Sequence, residues 1–298
     1  MNDPLGMAQL CHRLGFDGVQ VNLGAYGLAE AHALRSWLEA HAMYLVGEVG
    51  FPDDEAGLDT FEARVRVLKE AGAGLVRTFL LPGRRYENFA SFGEFEQMVT
   101  RRSALLPRVE RIVARYGVRL GLENHKDQRV AEKLAMLEKL ASEYVGVFLD
   151  VGNDIALMED PYQTVEAYAP WAFGVHLKDI AVREYAQGFE VLDVPLGEGM
   201  LDLKRMVAEL RAVNARMPFL VEMSTRNPLP VPCLTERYWA SLPGVSGREL
   251  AAVLSTVRRH QPGEPLRRID GLSDAELIAL EEDNVRKCLR YAREELGL

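Results

Sequence analysis

The chain has 298 residues, 48% of them hydrophobic and 27% charged, enough apolar material for one large α/β domain or two smaller ones. A formal net charge of −9 argues against nucleic acid as the main partner. Cys11, Cys233 and Cys288 form no CxxC pair, no apolar run approaches membrane-spanning length, and no basic-then-apolar signal opens the chain. Neither a disulfide framework nor a thiolate metal site is expected, and a reducing cytoplasm is the expected location.

Asp3 and Pro4 read as the N-cap and first position of a helix over 4–14, followed by a short strand at 19–22. A helix at 28–41 leads to a strand at 44–47 that ends on Glu48. Asp59 and Glu62 suggest a capping box before a helix running to Gly72. The next strand, 75–80, carries Arg77 and Thr78. A turn and long loop begin at Pro82, with Arg84 and Arg85, and a helix over 93–116 should kink at Pro107.

The central strand is 119–123, an apolar run that ends abruptly in Glu123, Asn124 and His125. Strand 145–150 ends in Asp150, strand 172–176 in His176, and strand 218–222 in Glu222. Helices near 128–142, 161–168 and 202–213 separate them, and residues 180–200 read as a long loop. The run 227–232 holds three prolines and reads as irregular. Residues 223–245 therefore suggest a lid or an interface, with a homo-oligomer as one outcome. Helices near 246–259 and from Ser273 onward complete residues 1–298, in which no interdomain linker is visible.

Strands and helices alternate throughout, which predicts a (β/α)8 TIM barrel rather than a doubly wound sheet, since no GxGxxG or P-loop is present. Only seven strands are found, and the chain opens on a helix. The first strand is missing or atypical. On this fold Glu123, Asp150, His176 and Glu222 sit at equivalent strand tips around one opening. Three ionised carboxylates converge only with a cation among them, and oxygen ligands plus an imidazole suit a divalent ion.

Gly121-Leu122-Glu123-Asn124-His125, Phe148-Leu149-Asp150-Val151-Gly152-Asn153, Gly174-Val175-His176-Leu177-Lys178-Asp179, Gly197-Glu198-Gly199 and Glu222 resemble the xylose isomerase-like superfamily, in its sugar phosphate isomerase/epimerase branch. The resemblance implies a TIM barrel with one divalent ion, foremost Mn2+ with Mg2+, Co2+ or Zn2+ as alternatives, held by Glu123, Asp150, His176 and Glu222. It also implies that Glu123 and Glu222 exchange a proton with a carbon beside a carbonyl. Two positions depart from the related ketose epimerases. Asn153 replaces a histidine three residues after the metal Asp, and Arg129 replaces a carboxylate six residues after the first Glu.

Around this set, His125 suits a general acid/base or a hydrogen-bonding support. Lys178 suits an oxyanion partner or an ion pair with Asp179. Glu48 and Arg77 end earlier strands and suit substrate contacts, with a barrel-floor ion pair as the alternative for Arg77. Asn124 and Asn153 could donate to sugar hydroxyls or shape turns. Arg226 lies in the 223–245 segment, where Trp239 could floor a sugar ring, meet a second copy or simply pack. Arg84 and Arg85 suit a phosphate or plain solvation. The expected function is a metal-dependent keto-sugar or sugar phosphate isomerase/epimerase working through an enediolate. A lyase of the inosose-dehydratase or keto-glycoside-eliminating kind uses the same intermediate, and a non-catalytic sugar- or partner-binding barrel is the third reading.

Overall fold

A computed structural model describes residues 3–298. Helix α1 (Pro4–Leu14) begins as expected: Asp3 accepts from the Gly6 N–H, and Pro4 takes the position where a missing N–H costs nothing. Seven strands then alternate with helices. They are β1 (Gly18–Asn22), β2 (Tyr44–Glu48), β3 (Leu75–Thr78), β4 (Arg119–Glu123), β5 (Val145–Asp150), β6 (Ala172–Leu177) and, later in the chain, β9 (Phe219–Val221). They pair in parallel in the order β1-β2-β3-β4-β5-β6-β9.

The sheet curls until its two ends approach one another. Gln20 on β1 reaches His176 on β6 at 2.8 Å, and the Tyr44 hydroxyl of β2 lies 3.4 Å from the Phe219 carbonyl of β9. The barrel is open between β9 and β1. The last helix, α12 (Asp274–Glu294), packs against β9, and its Arg293 bonds to Gly15 O and Asp17 at the other edge. The barrel interior is filled by Phe148, fully buried on β5. Gly121 and Gly174 make its room, because a Cβ at either would stand 2.8 Å from Phe148.

Between the strands lie α2 (Leu28–Ala40), α3 (Leu58–Glu70), α4 (Arg85–Asn88), α5 (Phe92–Ser103), α6 (Leu106–Arg115), α7 (Val130–Leu140), α8 (Pro161–Tyr168) and α9 (Leu203–Val213). The helix foreseen over 93–116 divides into α5 and α6, with Pro107 in the first turn of α6. The capping box foreseen at Asp59 does not form. Helix α3 starts one residue earlier, at Leu58, while Asp54 caps the preceding turn through the Gly57 N–H.

Two stretches expected to be irregular are strands. Residues 179–194 form a hairpin, β7 (Asp179–Tyr185) and β8 (Gly188–Val194). The proline-rich run contributes β10 (Leu229–Val231), antiparallel to β8 and at the edge of this three-stranded sheet. Proline is tolerated there because an edge strand has N–H groups that no neighbour needs. Helices α10 (Glu236–Trp239) and α11 (Gly247–His260) follow, and α11 packs on β7. Among the described residues no helix is long and apolar enough to cross a membrane.

Candidate metal centre

The strand tips bring Glu123, Asp150 and His176 together, all buried, with one ligand atom from each within 4.8 Å of the others. Glu222, one residue past β9, stands outside that compact group but faces it. Its Oε2 lies 2.9 Å from His176 Nδ1, and Glu123 Oε2 lies 3.5 Å from the same nitrogen. The imidazole is fixed from behind by Gln20 at Nε2 and packs edge-on against Phe148, with ring centroids 4.6 Å apart.

Each carboxylate is tied to the protein by one oxygen. Arg77 holds Glu123 through Oε2 and also lies 3.2 Å from Glu48. Lys178 lies 2.7 Å from Asp150 Oδ2 and 3.7 Å from Glu222 Oε1. The other oxygens, Glu123 Oε1, Asp150 Oδ1 and Glu222 Oε2, are buried without a hydrogen-bond partner, as is His176 Nδ1. Buried polar atoms are rarely left so. One orphaned donor atom from each of four residues fits a divalent cation with oxygen and imidazole ligands.

The electrostatics agree with a site of concentrated charge. Burial, opposed by Lys178, pushes Asp150 up to about 7. Burial would also raise Glu222, but Lys178 and His176 hold it well below the usual carboxylate range. Burial pulls His176 down, yet the Glu222 carboxylate 2.9 Å from Nδ1 and the fields of Glu123 and Asp150 raise it overall. Lys178 is likewise raised against its burial by Asp150 and Glu222.

The remaining residues divide by position. His125 stacks on Phe79 at 5.2 Å with Nδ1 unpartnered, and burial lowers its pKa. Asn124 lies behind the tips with its polar atoms committed. Its amide donates to Asp150 O (2.9 Å) and Asp154 (2.8 Å) and accepts from the Asp150 N–H (2.7 Å). Asn153 donates to Asn124 O at 3.0 Å and to Asp150 Oδ2, and accepts from Lys126. Arg226 pairs with Asp193 of β8 at 3.1 Å. Trp239 is half-buried, donates to Cys233 O at 2.9 Å and packs on Tyr238.

Two alternatives do not form. Lys178 turns to Asp150 rather than to Asp179, whose carboxylate accepts four backbone N–H groups, from Ile180, Gly197, Gly199 and Leu201. Arg85 is no phosphate ligand. It is buried against Phe95, bonded to Glu132 and Ser241 O. Arg84 pairs with Glu87.

Two residues that the sequence reading passed over stand close to the centre. Gln20 fixes the His176 ring. Lys126 is buried in the left-handed conformation (φ 61°), and burial and neighbouring Lys178 push it down to about 8. Gln20 was legible as a lone amide between two strand valines. Lys126 carried no comparable signal.

Fold and site together define a (β/α) barrel with a buried Glu–Asp–His cluster at the C-terminal tips of its strands. The chain belongs to the xylose isomerase-like TIM barrel family, whose model matches residues 8–242. A stretch of 109 residues is 30% identical to 3-oxo-isoapionate decarboxylase of Pectobacterium atrosepticum, spanning 36% of this chain and 40% of that relative. A D-psicose 3-epimerase solved in the presence of D-fructose superposes with a TM-score of 0.65 at 17% identity, covering 98% of this chain and 93% of that one. The probable 3-DHS dehydratase AsbF from Bacillus anthracis gives 0.58 at 15%, over 74% and 88%. A family member from Mycobacterium smegmatis in complex with magnesium gives 0.57 at 17%, over 86% and 91%. At these identities the structural likeness is one of fold.

Proposed function

We propose that this protein is a divalent-metal-dependent enzyme that moves a proton at the carbon beside the carbonyl of a keto-sugar or sugar phosphate, an isomerase or epimerase in outcome. One observation carries the reading. Glu123 Oε1 and Asp150 Oδ1 are buried without a protein partner, and beside them Glu222 Oε2 and His176 Nδ1 have only each other, 2.9 Å apart. When bound there, a divalent ion such as Mn2+ supplies Lewis-acid polarisation of the substrate's carbonyl and hydroxyl oxygens.

The chain's own residues do the proton work. Glu123 and Glu222 both approach His176 Nδ1, at 3.5 and 2.9 Å. A carbon held between them can lose its proton to one carboxylate and regain it from the other. Glu222 suits the first role, since Lys178 and His176 keep it ionised. Lys178 keeps its charge and opposes the negative charge that develops on the substrate oxygens. Arg77 sets the direction of Glu123. His125, kept neutral by burial and with an unpartnered ring nitrogen, can accept a proton from a substrate hydroxyl and return it. Glu48 and Arg226, partly exposed at the rim, contact sugar hydroxyls, and Trp239 lines the approach from the 223–245 segment.

The same enediolate, once formed by proton loss, can expel a β-substituent, and a related enolate is left when a β-keto acid loses CO2, which makes a lyase the second reading. It is favoured by the 30% match to a decarboxylase and by Lys126 and Asn153 beside Asp150, where charge on a departing group can be met. The test is a screen of Mn2+-loaded protein against ketoses, inososes, 3-keto-glycosides and keto acids, followed by NMR in D2O. Deuterium at the carbon beside the carbonyl with a saturated product supports the isomerase. An unsaturated product or released CO2 supports the lyase. Absence of bound metal together with absence of exchange overturns both.

A further inference from the structure

Five lysines and arginines are buried among the described residues: Arg85, Arg102, Lys126, Lys133 and Lys178. Four of them have a carboxylate within 4.0 Å, namely Glu132, Asp53, Asp127 and Asp150 in that order. Lys126 has none. Its one hydrogen-bond partner is the neutral amide oxygen of Asn153. A buried ammonium with no carboxylate in direct contact is costly, and such groups cluster at functional sites.

The backbone repeats the point. Lys126 occupies the left-handed region, which is strained for an L-residue and which glycine would fill without strain. The turn is anchored by the Arg85 N–H, which donates to Lys126 O at 3.0 Å. The geometry also says where the charge points. Lys126 donates to Asn153, and Asn153 donates to Asp150 Oδ2, so the ammonium stands one amide away from the candidate metal centre.

The charges of the surrounding site select the class of ion. Glu48, Glu123, Asp150, Asp193 and Glu222 supply five negative charges, and Arg77, Lys126, Lys178 and Arg226 supply four positive ones. A bound divalent ion leaves this set one positive charge in excess. A monoanion balances it. A phosphate monoester, with about −1.5 to −2 at pH 7, exceeds it.

We infer that Lys126 is the anchor of an anion subsite beside the metal centre, and that the substrate is a sugar acid whose carboxylate Lys126 binds. The inference rests on the reading of the site given above and names its substrate class. It fits a chain that resembles a decarboxylase, since decarboxylation by definition takes a carboxylate. It also gives a use to Asn153, which links the ammonium to Asp150.

Calorimetric titration of the Mn2+-loaded protein tests it, comparing four- to six-carbon aldonates with the alditols of the same length and with the alditol phosphates. A charge-assisted hydrogen bond to a buried lysine predicts about tenfold tighter binding of the best aldonate than of its alditol. Lys126→Gln should bring that ratio to within about threefold, whereas Lys126→Arg, which keeps the charge, should retain it. Reading the ratio separates this role from a purely structural one, which would weaken both ligands alike. A ratio near one in the unmodified protein, a ratio that survives Lys126→Gln, a preference for the phosphates, or no aldonate binding overturns the inference. Exchange at carbon without aldonate preference sinks this inference alone. Aldonate preference without metal or exchange sinks the proposed reaction alone.

Discussion

The His176 ring is only as useful as the group behind it, which makes Gln20→Leu the most direct probe of the centre. Gln20 Oε1 accepts from Nε2 at 2.8 Å, and that bond leaves the Nδ1 lone pair facing Glu123 and Glu222. Leucine has nearly the same volume but cannot accept. The buried Nε2–H then loses its partner, at a cost of about 1–3 kcal/mol. The ring can escape that cost by moving its proton to Nδ1, which removes the lone pair a metal needs. Either way the loss falls on metal binding, and removing such a supporting group typically weakens affinity by about 10–100-fold. At about 1.4 kcal/mol per tenfold, the two routes to the magnitude agree. Competition for Mn2+ with a chelator, read by the EPR signal of free Mn2+, measures it, with circular dichroism confirming the fold. Gln20→Glu keeps an acceptor and should bind within about threefold of the unmodified protein or tighter. Gln20→Leu binding within about threefold as well, or Gln20→Glu losing as much as Gln20→Leu, would refute the assignment.

Metal affinity should fall as pH falls, because His176 carries its proton above the ordinary imidazole range and Asp150 is pushed up to about 7, and a bound ion displaces both protons. Each displaced proton contributes up to about tenfold per pH unit. Titrations across pH 5–8 giving a flat log Kd would contradict this. Lys133→Met removes a fully buried ammonium that bonds Glu123 O at 2.9 Å and lies 3.6 Å from Asp127. It leaves that carboxylate unpaired and should cost about 3–5 kcal/mol in urea denaturation, most of it recovered in Lys133→Met/Asp127→Leu. A loss under about 1 kcal/mol would show that the pair carries little. Gly199→Ala places a Cβ 2.1 Å from Asp179 Oδ1 and 2.7 Å from Ile180 O, so the carboxylate must release its cradle of N–H groups. It should destabilise by about 1–3 kcal/mol. Gly244→Ala, with no atom within 4 Å of the new Cβ, should stay within about 0.5 kcal/mol.

The parallel strands were legible because burial on both faces demands unbroken apolar runs, and β4, β5 and β6 end where those runs meet a polar residue. The small antiparallel sheet was not. Arg183, Glu184, Glu190 and Asp193 break up its apolar content, so 180–200 looked like loop. The usable signal was alternation: Ile180 and Val182, then Phe189 and Val191, all buried, around the Ala186-Gln187 turn. Pro230 misled in the same way, since a proline excludes a central strand but not an edge. The strand-tip residues could be named from spacing, whereas Lys126 depends on a left-handed turn and on having no carboxylate within ion-pair distance. Neither is written in local sequence.

The structure also changes the reason for expecting a metal. Three carboxylates and an imidazole drawn from four strand tips suggest that a cation must neutralise them, but Arg77 and Lys178 already stand among them. Charge alone would be met by an ion-pair network of the kind that buried acids often form. Such a network satisfies both oxygens of each acid, and this one does not. Arg77 takes Glu123 Oε2 and leaves Oε1 bare. Lys178 and Asn153 converge on Asp150 Oδ2 and leave Oδ1. Glu222 turns Oε1 toward Lys178 and Oε2 toward the His176 nitrogen that Gln20 leaves unbonded. In Glu123 and Asp150 one oxygen is held by protein and the other is bare, and in Glu222 the second oxygen meets only the imidazole nitrogen of the same cluster. That division of labour within each side chain is what a coordinated ion requires and what a structural salt bridge has no reason to produce.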